Sequence, residues 1–257
     1  MTKEDAGAIV AAARSTQKIT MAEITQHLFD HFIELHGDHA GSDDPAIVGG
    51  LAFFHQRPVT VIGTDRGADV KDRLATHFGC PTPGGYRKAL RLAKQAAKFQ
   101  RPVIFFVDTP GAYPGQSAEE NGQGAAIAAN LLQIAQLPTP IITVIYGEGG
   151  SGGALALACG DQVWMMAKST YSILSPEGFA SILWKDSRRA DEAAELMQLT
   201  PKQLLKQRVI EGIIDEPDDH RAVLAAIDAV LQPQLDKLCS QTPAELLAAR
   251  RQRYRKF

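Results

Sequence analysis

Short apolar runs alternate with amphipathic stretches along the first two thirds of the chain. Runs of this kind that are rich in β-branched residues predict strands buried on both faces. Three of them begin with proline, a residue that sheets accept at the first position of a strand. The predicted strands are residues 58–63, 102–107, 140–145 and 162–167.

Helical periodicity fills the segments between and after these strands. In residues 85–99 the apolar side chains recur at helical spacing, and Arg87, Lys88 and Arg91 lie largely on the other faces. We expect these cations to form a solvated helix face, with contacts to a ligand's phosphates as the alternative. Alternation of strand and helix favours βαβ units with a mostly parallel sheet. The predicted helices are residues 85–99, 119–137, 176–185, 190–197, 201–208, 219–231 and 243–257.

The length of 257 residues permits one large core, and no linker divides the chain. We therefore predict a single domain over residues 1–257. It comprises a helical N-terminal segment at 1–40, a core with the functional loops at 47–185, and a helical region at 186–257. The basic stretch 250–256 is typical of a solvated helix end that matches the helix dipole.

Charge and composition argue against some classes of partner. With 27 basic and 29 acidic residues the net charge is -2, which argues against nucleic acid or an anionic membrane as an obligatory partner. No apolar run approaches the roughly 20 residues that span a bilayer, and the first residues lack a basic-then-apolar signal segment. The expected location is the cytoplasm.

Neither the cysteines nor the histidines predict a metal centre. Cys80, Cys159 and Cys239 form no C-x-x-C pair, so we expect three structural thiols. Several histidines are close together near the N-terminus, but no acidic residue completes a recognisable ligand motif, and an exposed helix and turn is favoured. These histidines are His27, His31, His36 and His39.

The strongest chemical signal is a glycine-rich turn at residues 147–153, directly after the apolar run 140–146. Its spacing satisfies the dinucleotide pattern G-x-G-x-x-G, but the following helix is short and no acidic residue ends the next strand. No Lys-Ser or Lys-Thr follows the glycines, which excludes a Walker loop. The turn also satisfies G-x-S-x-G, so a serine hydrolase with Ser151 as nucleophile and His220 as base is the enzymatic alternative.

A third interpretation of this turn uses the backbone alone. Amide N–H groups at a helix start carry partial positive charge and can stabilise an oxyanion without an ionisable side chain. We assign this role to the N–H groups of Gly152 and Gly153 or their neighbours. A second glycine turn, at residues 108–115, ends the neighbouring strand, and parallel strands present their C-terminal loops at one edge. The residues expected to line the site are Gly149, Gly150, Gly111, Ala112 and Tyr113.

Three long motifs in order resemble a known family. They are Asp108-Thr-Pro-Gly-Ala-Tyr-Pro-Gly115, the stretch Gly147-Glu-Gly-Gly-Ser-Gly-Gly153, and Ser169-Thr-Tyr-Ser-Ile-Leu-Ser-Pro-Glu-Gly178 with Ala180-Ser-Ile-Leu-Trp-Lys185 after it. Together they resemble the carboxyltransferase alpha subunit of bacterial acetyl-CoA carboxylase. The likeness runs from about residue 47 to the C-terminal helices. It implies an α/β fold of the ClpP/crotonase type, a superhelix of strand-strand-helix repeats with C-terminal helices.

The resemblance also implies a reaction. Such subunits help to move a carboxyl group from carboxybiotin, held on a biotin carboxyl carrier protein and not on this chain, to acetyl-CoA, which gives malonyl-CoA for fatty acid biosynthesis. In that scheme the ureido nitrogen of biotin takes the methyl proton, and separate oxyanion holes stabilise the ureido oxygen and the thioester enolate. The alpha subunit supplies the biotin-side hole, which maps onto Gly152 and Gly153. No metal is expected on this chain.

The implied partners are a beta subunit that carries a zinc ribbon, in an alpha2beta2 assembly, and the biotin carboxylase of the complex. This chain departs from the family near the first strand, with Gly63-Thr-Asp-Arg-Gly67 in place of Gly-His-Gln-Lys-Gly and Gly37-Asp-His39 in place of Gly-Asp-Arg. A basic residue survives as Arg66, and the contacts of this segment stay open. A catalytically idle scaffold that only positions a partner is the third class of function.

Overall fold

A single mixed sheet forms the centre of the computed structural model, which describes residues 5–257. Its strands are β1 (Asp30–Glu34), β2 (Ile47–Phe54), β3 (Arg57–Thr64), β4 (Val103–Thr109), β5 (Ile141–Gly150), β6 (Gln162–Met166), β7 (Thr170–Ser172) and β8 (Gly212–Ile214). The spatial order is β1-β2-β3-β4-β5-β6-β8, and β7 pairs with the end of β5. Strands β1 to β3 are antiparallel, whereas β3, β4, β5, β6 and β8 run parallel.

The helices lie before, between and after these strands. They are α1 (Ala6–Ala13), α2 (Met21–His27), α3 (Val70–Ala75), α4 (Pro83–Lys98), α5 (Gln116–Glu120), α6 (Gln123–Ile134), α7 (Ser151–Leu155), α8 (Pro176–Trp184), α9 (Ala190–Met197), α10 (Pro201–Lys206), α11 (His220–Cys239) and α12 (Pro243–Tyr254). Short 3-10 turns occupy His77–Gly79 and Ser187–Arg189.

Both faces of the central strands are buried, as near-continuous apolar runs require. Side chains alternate across β4: Phe105 packs into the core cluster with α4 and α6, and Phe106 packs into the cluster with α2 and α11. Neighbouring β5 divides in the same way, with Ile145 on the first face and Val144 on the second. The sheet is therefore covered by helices on both sides, which confirms the predicted α/β class.

The four predicted strands are all present, and so are the predicted helices, with shifted ends. The largest shift is at α11, which runs to Cys239 instead of residue 231. Strand β5 runs on through the glycines to Gly150, so Gly147 to Gly150 are strand residues and not a turn. The N-terminal segment and the C-terminal region, which were predicted to be helical, each also contain one short strand, β1 in the first and β8 in the second. Both are short strands at opposite edges of the sheet.

Three further findings concern the sequence predictions. None of the helices within residues 5–257 combines the length and apolar character that crossing a membrane requires. In the same residues no three His, Cys, Asp or Glu side chains converge as metal ligands, and His36 instead contacts Asp43. All three cysteines are free thiols, of which Cys159 is buried and Cys239 is exposed.

Candidate active site

The two glycine-rich segments meet at the C-terminal ends of β4 and β5. The strands pair residue by residue up to Val107 with Ile145, and the next pair is Thr109 with Gly149. One residue of β4, Asp108, therefore faces three residues of β5. This bulge brings the segment after β4 alongside the end of β5, as parallel neighbouring strands were expected to do.

Glycine is required at Gly150 and Gly153 by close packing. A Cβ atom at Gly150 would overlap the carbonyl of Pro110. A Cβ atom at Gly153 would lie 2.6 Å from the amide nitrogen of Ala112 and 2.7 Å from the hydroxyl of Tyr86. The backbones of residues 110–112 and 150–153 are thus in direct contact, and we call these two segments the paired loops.

Gly152 differs from both neighbours. The nearest atom to a Cβ at this position is the Ile127 methyl group at 3.8 Å, an ordinary contact, and the residue does not have a positive φ. Neither packing nor backbone conformation therefore requires glycine here. Gly152 also lines a largely apolar cavity of about 580 Å³, together with Ser151, Tyr171 and Phe179.

Free N–H donors arise because α7 begins immediately after β5. The first residues of any helix have N–H groups without an intrahelical acceptor. The residue before α7 is Gly150, which has no side chain to cap them. The N–H groups of Gly152 and Gly153 belong to this first turn; Gly152 is half-buried and Gly153 is buried.

The residues expected to line the site fall into two groups. Gly149 and Gly150 line a smaller cavity of about 210 Å³ that also contains Arg14 and Glu148. Gly111 and Ala112 contact Gly153 through their backbones. Tyr113 is half-buried, donates its N–H to the Pro81 carbonyl at 3.0 Å, and packs its ring against His77 with centroids 4.4 Å apart.

A connected series of ion pairs lies at the bulge between β4 and β5, next to the paired loops. Arg66 Nη2 contacts Asp108 Oδ1 at 2.9 Å and Glu148 Oε2 at 2.7 Å. The other oxygen of Glu148 accepts a hydrogen bond from Arg14 Nε at 2.7 Å, and Arg14 also pairs with Glu177 on α8. Sequence reasoning noted Arg66 only as a surviving basic residue and missed its partners, which are distant in sequence.

The alternative with a Ser-His catalytic pair lacks its base. Ser151 has a positive φ of 54°, as a sharp strand-to-helix turn produces, and its side chain is exposed. His220, however, is bound elsewhere, with Nδ1 2.8 Å from Glu23 and Nε2 2.9 Å from the Gln17 carbonyl. No histidine or carboxylate lines the cavity beside Ser151. The structure gives a serine hydrolase no support.

The basic side chains of α4 bind the chain itself. Lys88 is buried, with Nζ 2.9 Å from Asp43, and Arg87 Nε lies 2.7 Å from Asp38. Arg91 donates to the carbonyls of Gly37 and His36. The expected solvated face is wrong for Lys88, which is buried, and all three cations hold the loop between β1 and β2 against α4.

Comparison with known proteins places this site in a family. The model of the acetyl co-enzyme A carboxylase carboxyltransferase-like family matches residues 3–257. The chain belongs to this family. It is therefore a transferase of the carboxyltransferase class, as the resemblance of the motifs implied.

Curated relatives agree over nearly their full length. The chain is 51% identical over 251 residues to the acetyl-coenzyme A carboxylase carboxyl transferase subunit alpha of Streptococcus sanguinis strain SK36, covering 97% of this chain and 98% of the relative. It is 52% identical over 254 residues to the subunit of the same name from Streptococcus pyogenes serotype M12 strain MGAS2096, covering 98% and 99%.

Solved structures show the same fold. A transcarboxylase 12S structure with methylmalonyl-coenzyme A and methylmalonic acid bound superposes with a TM-score of 0.67 at 20% identity, over 84% of this chain and 42% of that one. The beta subunit of geranyl-CoA carboxylase from P. aeruginosa gives 0.65 at 17% identity, over 88% and 43%. The present chain thus spans less than half of each of these larger chains, and the predicted crotonase-type fold is confirmed.

Proposed function

We propose that the chain is the alpha subunit of an acetyl-CoA carboxylase carboxyltransferase, which transfers the carboxyl group of carboxybiotin to acetyl-CoA to form malonyl-CoA. In this proposal carboxybiotin arrives on a biotin carboxyl carrier protein that a biotin carboxylase has loaded, and the reaction takes place in the cytoplasm. Family membership and the names of relatives that match over their full length support the substrate assignment.

Gly152 is the observation that carries the site assignment. Glycine in a helix costs about 1 kcal/mol relative to alanine, and neither packing nor φ explains its presence at this position. A reason outside the chain remains: a substrate carbonyl must come close to the backbone. The N–H groups of Gly152 and Gly153 would then donate to the ureido oxygen as negative charge develops on it.

The ureido group of biotin would fit the residues that are present at this site. The donors are fixed dipoles that need no reorganisation during the reaction, and the cavity before Gly152 has apolar walls such as Tyr171 and Phe179. These walls suit the apolar part of biotin. Gly149, Gly150, Gly111, Ala112 and Tyr113 would shape the two sides of the approach.

A beta subunit completes the proposed site. One pair of donors addresses one oxyanion, whereas the transfer develops charge on two oxygens, the ureido oxygen and the thioester oxygen. The second hole belongs to the partner in this proposal, in an alpha2beta2 assembly, so the isolated chain should be inactive. A scaffold without catalytic donors would leave the beta subunit fully active by itself.

The test removes one donor. Gly152→Pro eliminates the N–H in the first turn of α7, and Gly152→Ala keeps the N–H while adding a methyl group that no atom of the chain obstructs. With a beta subunit present, we expect Gly152→Pro to slow malonyl-CoA-dependent carboxylation of biotin about a hundredfold or more, and Gly152→Ala, which keeps the donor but narrows the approach of the substrate, to lose less.

Circular dichroism and co-purification with the beta subunit must show that both variants fold and assemble. Equal turnover of a folded Gly152→Pro complex and the parent complex would refute the assignment. Gly153 is unsuitable for this test, because any side chain there collides with Ala112.

A further inference from the structure

We propose that Arg66, Asp108 and Glu148 are positioning residues, which fix the distance between the paired loops and thereby set the rate of carboxyl transfer. The inference rests on the proposed function for its kinetic consequence. Its structural part, the distance between the loops, stands on the geometry of β4 and β5 alone.

The bulge between β4 and β5 leaves a backbone donor without a ladder partner, and Asp108 provides it. Between the pairs Val107 with Ile145 and Thr109 with Gly149, no β4 carbonyl is in register with the Glu148 N–H. Asp108 Oδ1 accepts that N–H at 2.8 Å. The side chain of Asp108 therefore fixes the position of Glu148 in the bulge, and with it the register in which Gly149 pairs with Thr109.

Asp108 is held from both sides, by its backbone on β3 and by its carboxylate on β5. Its own backbone N–H donates to Thr64 Oγ1 at 2.6 Å at the end of β3. On β5, the carboxylate occupies the space that a Cβ atom at Gly147 would need. Glycine is therefore required at position 147. A shift of Asp108 would move the end of β5, which leads directly into the turn that carries Gly152.

Charge balance gives Arg66 its role. Burial raises the pKa of the Asp108 carboxyl, and the Arg66 guanidinium opposes that rise. A single nitrogen of Arg66 lies within 3 Å of both Asp108 and Glu148, at 2.9 and 2.7 Å, so the cation joins β4 to β5. Without it, two buried carboxylates would repel each other across the bulge, and Arg14 would neutralise only Glu148.

Arg66 and Asp108 act through the loops and not on the substrate, because neither lines the cavity before Gly152 or the smaller cavity. Glu148 lines the smaller cavity beside Gly149, so the kinetic test uses the other two residues. Misplacement of reacting groups by about 1 Å from a distant substitution can cost a hundredfold in rate. Loss of Arg66 is therefore expected to lower the rate constant of the transfer while leaving the affinity for the acyl-CoA nearly unchanged.

The kinetic test compares Arg66→Gln with Arg66→Lys in the complex with the beta subunit. We expect Arg66→Gln to lower kcat on the order of a hundredfold, with KM for malonyl-CoA within about twofold of the parent value. Arg66→Lys, which keeps the charge as a point cation, should recover part of kcat. Asp108→Asn, which removes the charge and keeps the shape of the side chain, provides an independent variant if Arg66→Gln does not fold.

The matched control is Arg57→Gln. Arg57, at the start of β3, pairs with Asp236 at 2.8 Å at the end of the strands opposite the paired loops, so its loss should spare kcat. An unchanged kcat in Arg66→Gln, or an equal fall in Arg57→Gln, would overturn the proposal.

Hydrogen exchange on the full chain alone separates this inference from the proposed function. In Arg66→Gln, backbone amides in residues 105–115 and 146–153 should exchange faster, and those of α11 should not change. Unchanged exchange in both loops overturns the positioning role whatever the activity shows. An inactive parent complex would refute the proposed function, and the exchange result would still decide whether Arg66 holds the loops.

Discussion

Glycines within one short motif serve different physical purposes. Gly150 and Gly153 permit two backbones to touch, Gly147 leaves space for a carboxylate, and Gly152 has room for a side chain that it does not carry. A glycine-rich pattern indicates that the backbone must be bare, but it cannot separate contact with another loop from contact with a substrate. The neighbours of each Cβ position make that separation.

For Ser151 the question is whether the side chain serves the turn or the chemistry. Its position between a strand and a helix, with φ at 54°, reproduces the turn of a nucleophilic serine, but no base faces it. Ser151→Ala keeps every backbone donor of α7. We therefore expect carboxyl transfer by the variant complex to stay within about threefold of the parent.

A fluorophosphonate probe provides the complementary measurement, because it labels an activated serine and not an exposed unactivated one. The parent chain should remain unlabelled. Labelling of Ser151, combined with loss of activity in Ser151→Ala, would restore the hydrolase interpretation.

At the scale of elements, local patterns predicted those segments whose burial is uniform. The Pro-led apolar runs became β3, β4 and β5, and Thr200 with Pro201 marks the start of α10, where Thr200 forms a capping box. Edge strands were missed because β1 is mostly exposed and β8 has three residues, so neither has a periodic signal.

Helix α12 shows where a local charge pattern was misleading. Its basic residues were expected to be solvated, but Arg250 is buried and pairs with Asp161 through Nε at 2.8 Å. Its other nitrogens donate to carbonyl groups at the end of α6 and in the segment before β5, namely those of Ile134, Ala135, Leu137 and Thr139. Asp161 lies 89 positions away in sequence. A helical pattern in α12 cannot indicate a partner at that distance.

This arrangement predicts a large stability loss in Arg250→Met. The substitution would leave the Asp161 carboxylate buried without its cation, and breaking such a pair costs about 3–5 kcal/mol. Urea unfolding of the isolated chain measures the effect. Arg251→Met, at an exposed neighbouring position, is the control and should change stability by less than about 0.5 kcal/mol. A loss in Arg250→Met as small as in the control would contradict a structural role for the pair.

For the molecule as a whole, sequence motifs located the paired loops but not what holds them together. The order of strand, loop and helix along the sequence was enough to predict that Gly111 and Gly153 lie near the same edge of the sheet. The ion pairs that join Arg14, Arg66 and Glu148 connect α1, the end of β3 and β5 across 134 and 82 positions of sequence. Such pairings depend on the tertiary fold, so a single sequence contains no local trace of them.

Helices α2 and α11 meet on the second face of the sheet. His220, at the start of α11, pairs with Glu23 on α2, 197 positions earlier, and both side chains are about one third exposed, at 36% and 34%. The hydrogen bond to Glu23 raises the pKa of His220. Burial alone would raise the pKa of Glu23, but its hydrogen bonds with His220 and Thr20 lower it.

These opposite shifts predict a pH window for this contact. The raised pKa of His220 stabilises the fold below its unfolded value of about 6.5, and that contribution disappears as pH rises through the folded value. The lowered pKa of Glu23 contributes above its unfolded value of about 4.3 and is lost as pH falls through the folded value. The pair therefore stabilises most between about pH 4.5 and 6.5.

Urea midpoints of the parent chain and His220→Gln measure the prediction between pH 5 and 8. Because the pair is partly exposed, we expect a difference of about 0.5 kcal/mol or less at pH 5.5, which vanishes toward pH 8. His27, His55, Asp30, Asp219 and Asp228 line the same groove and are present in both proteins, so the difference isolates His220. Arg57→Gln, which breaks the exposed pair with Asp236, should give a difference that does not vary over this range. A His220→Gln difference that grows toward pH 8 would contradict the direction of the pKa shift, because a cationic His220 can stabilise the folded chain only while it keeps its proton.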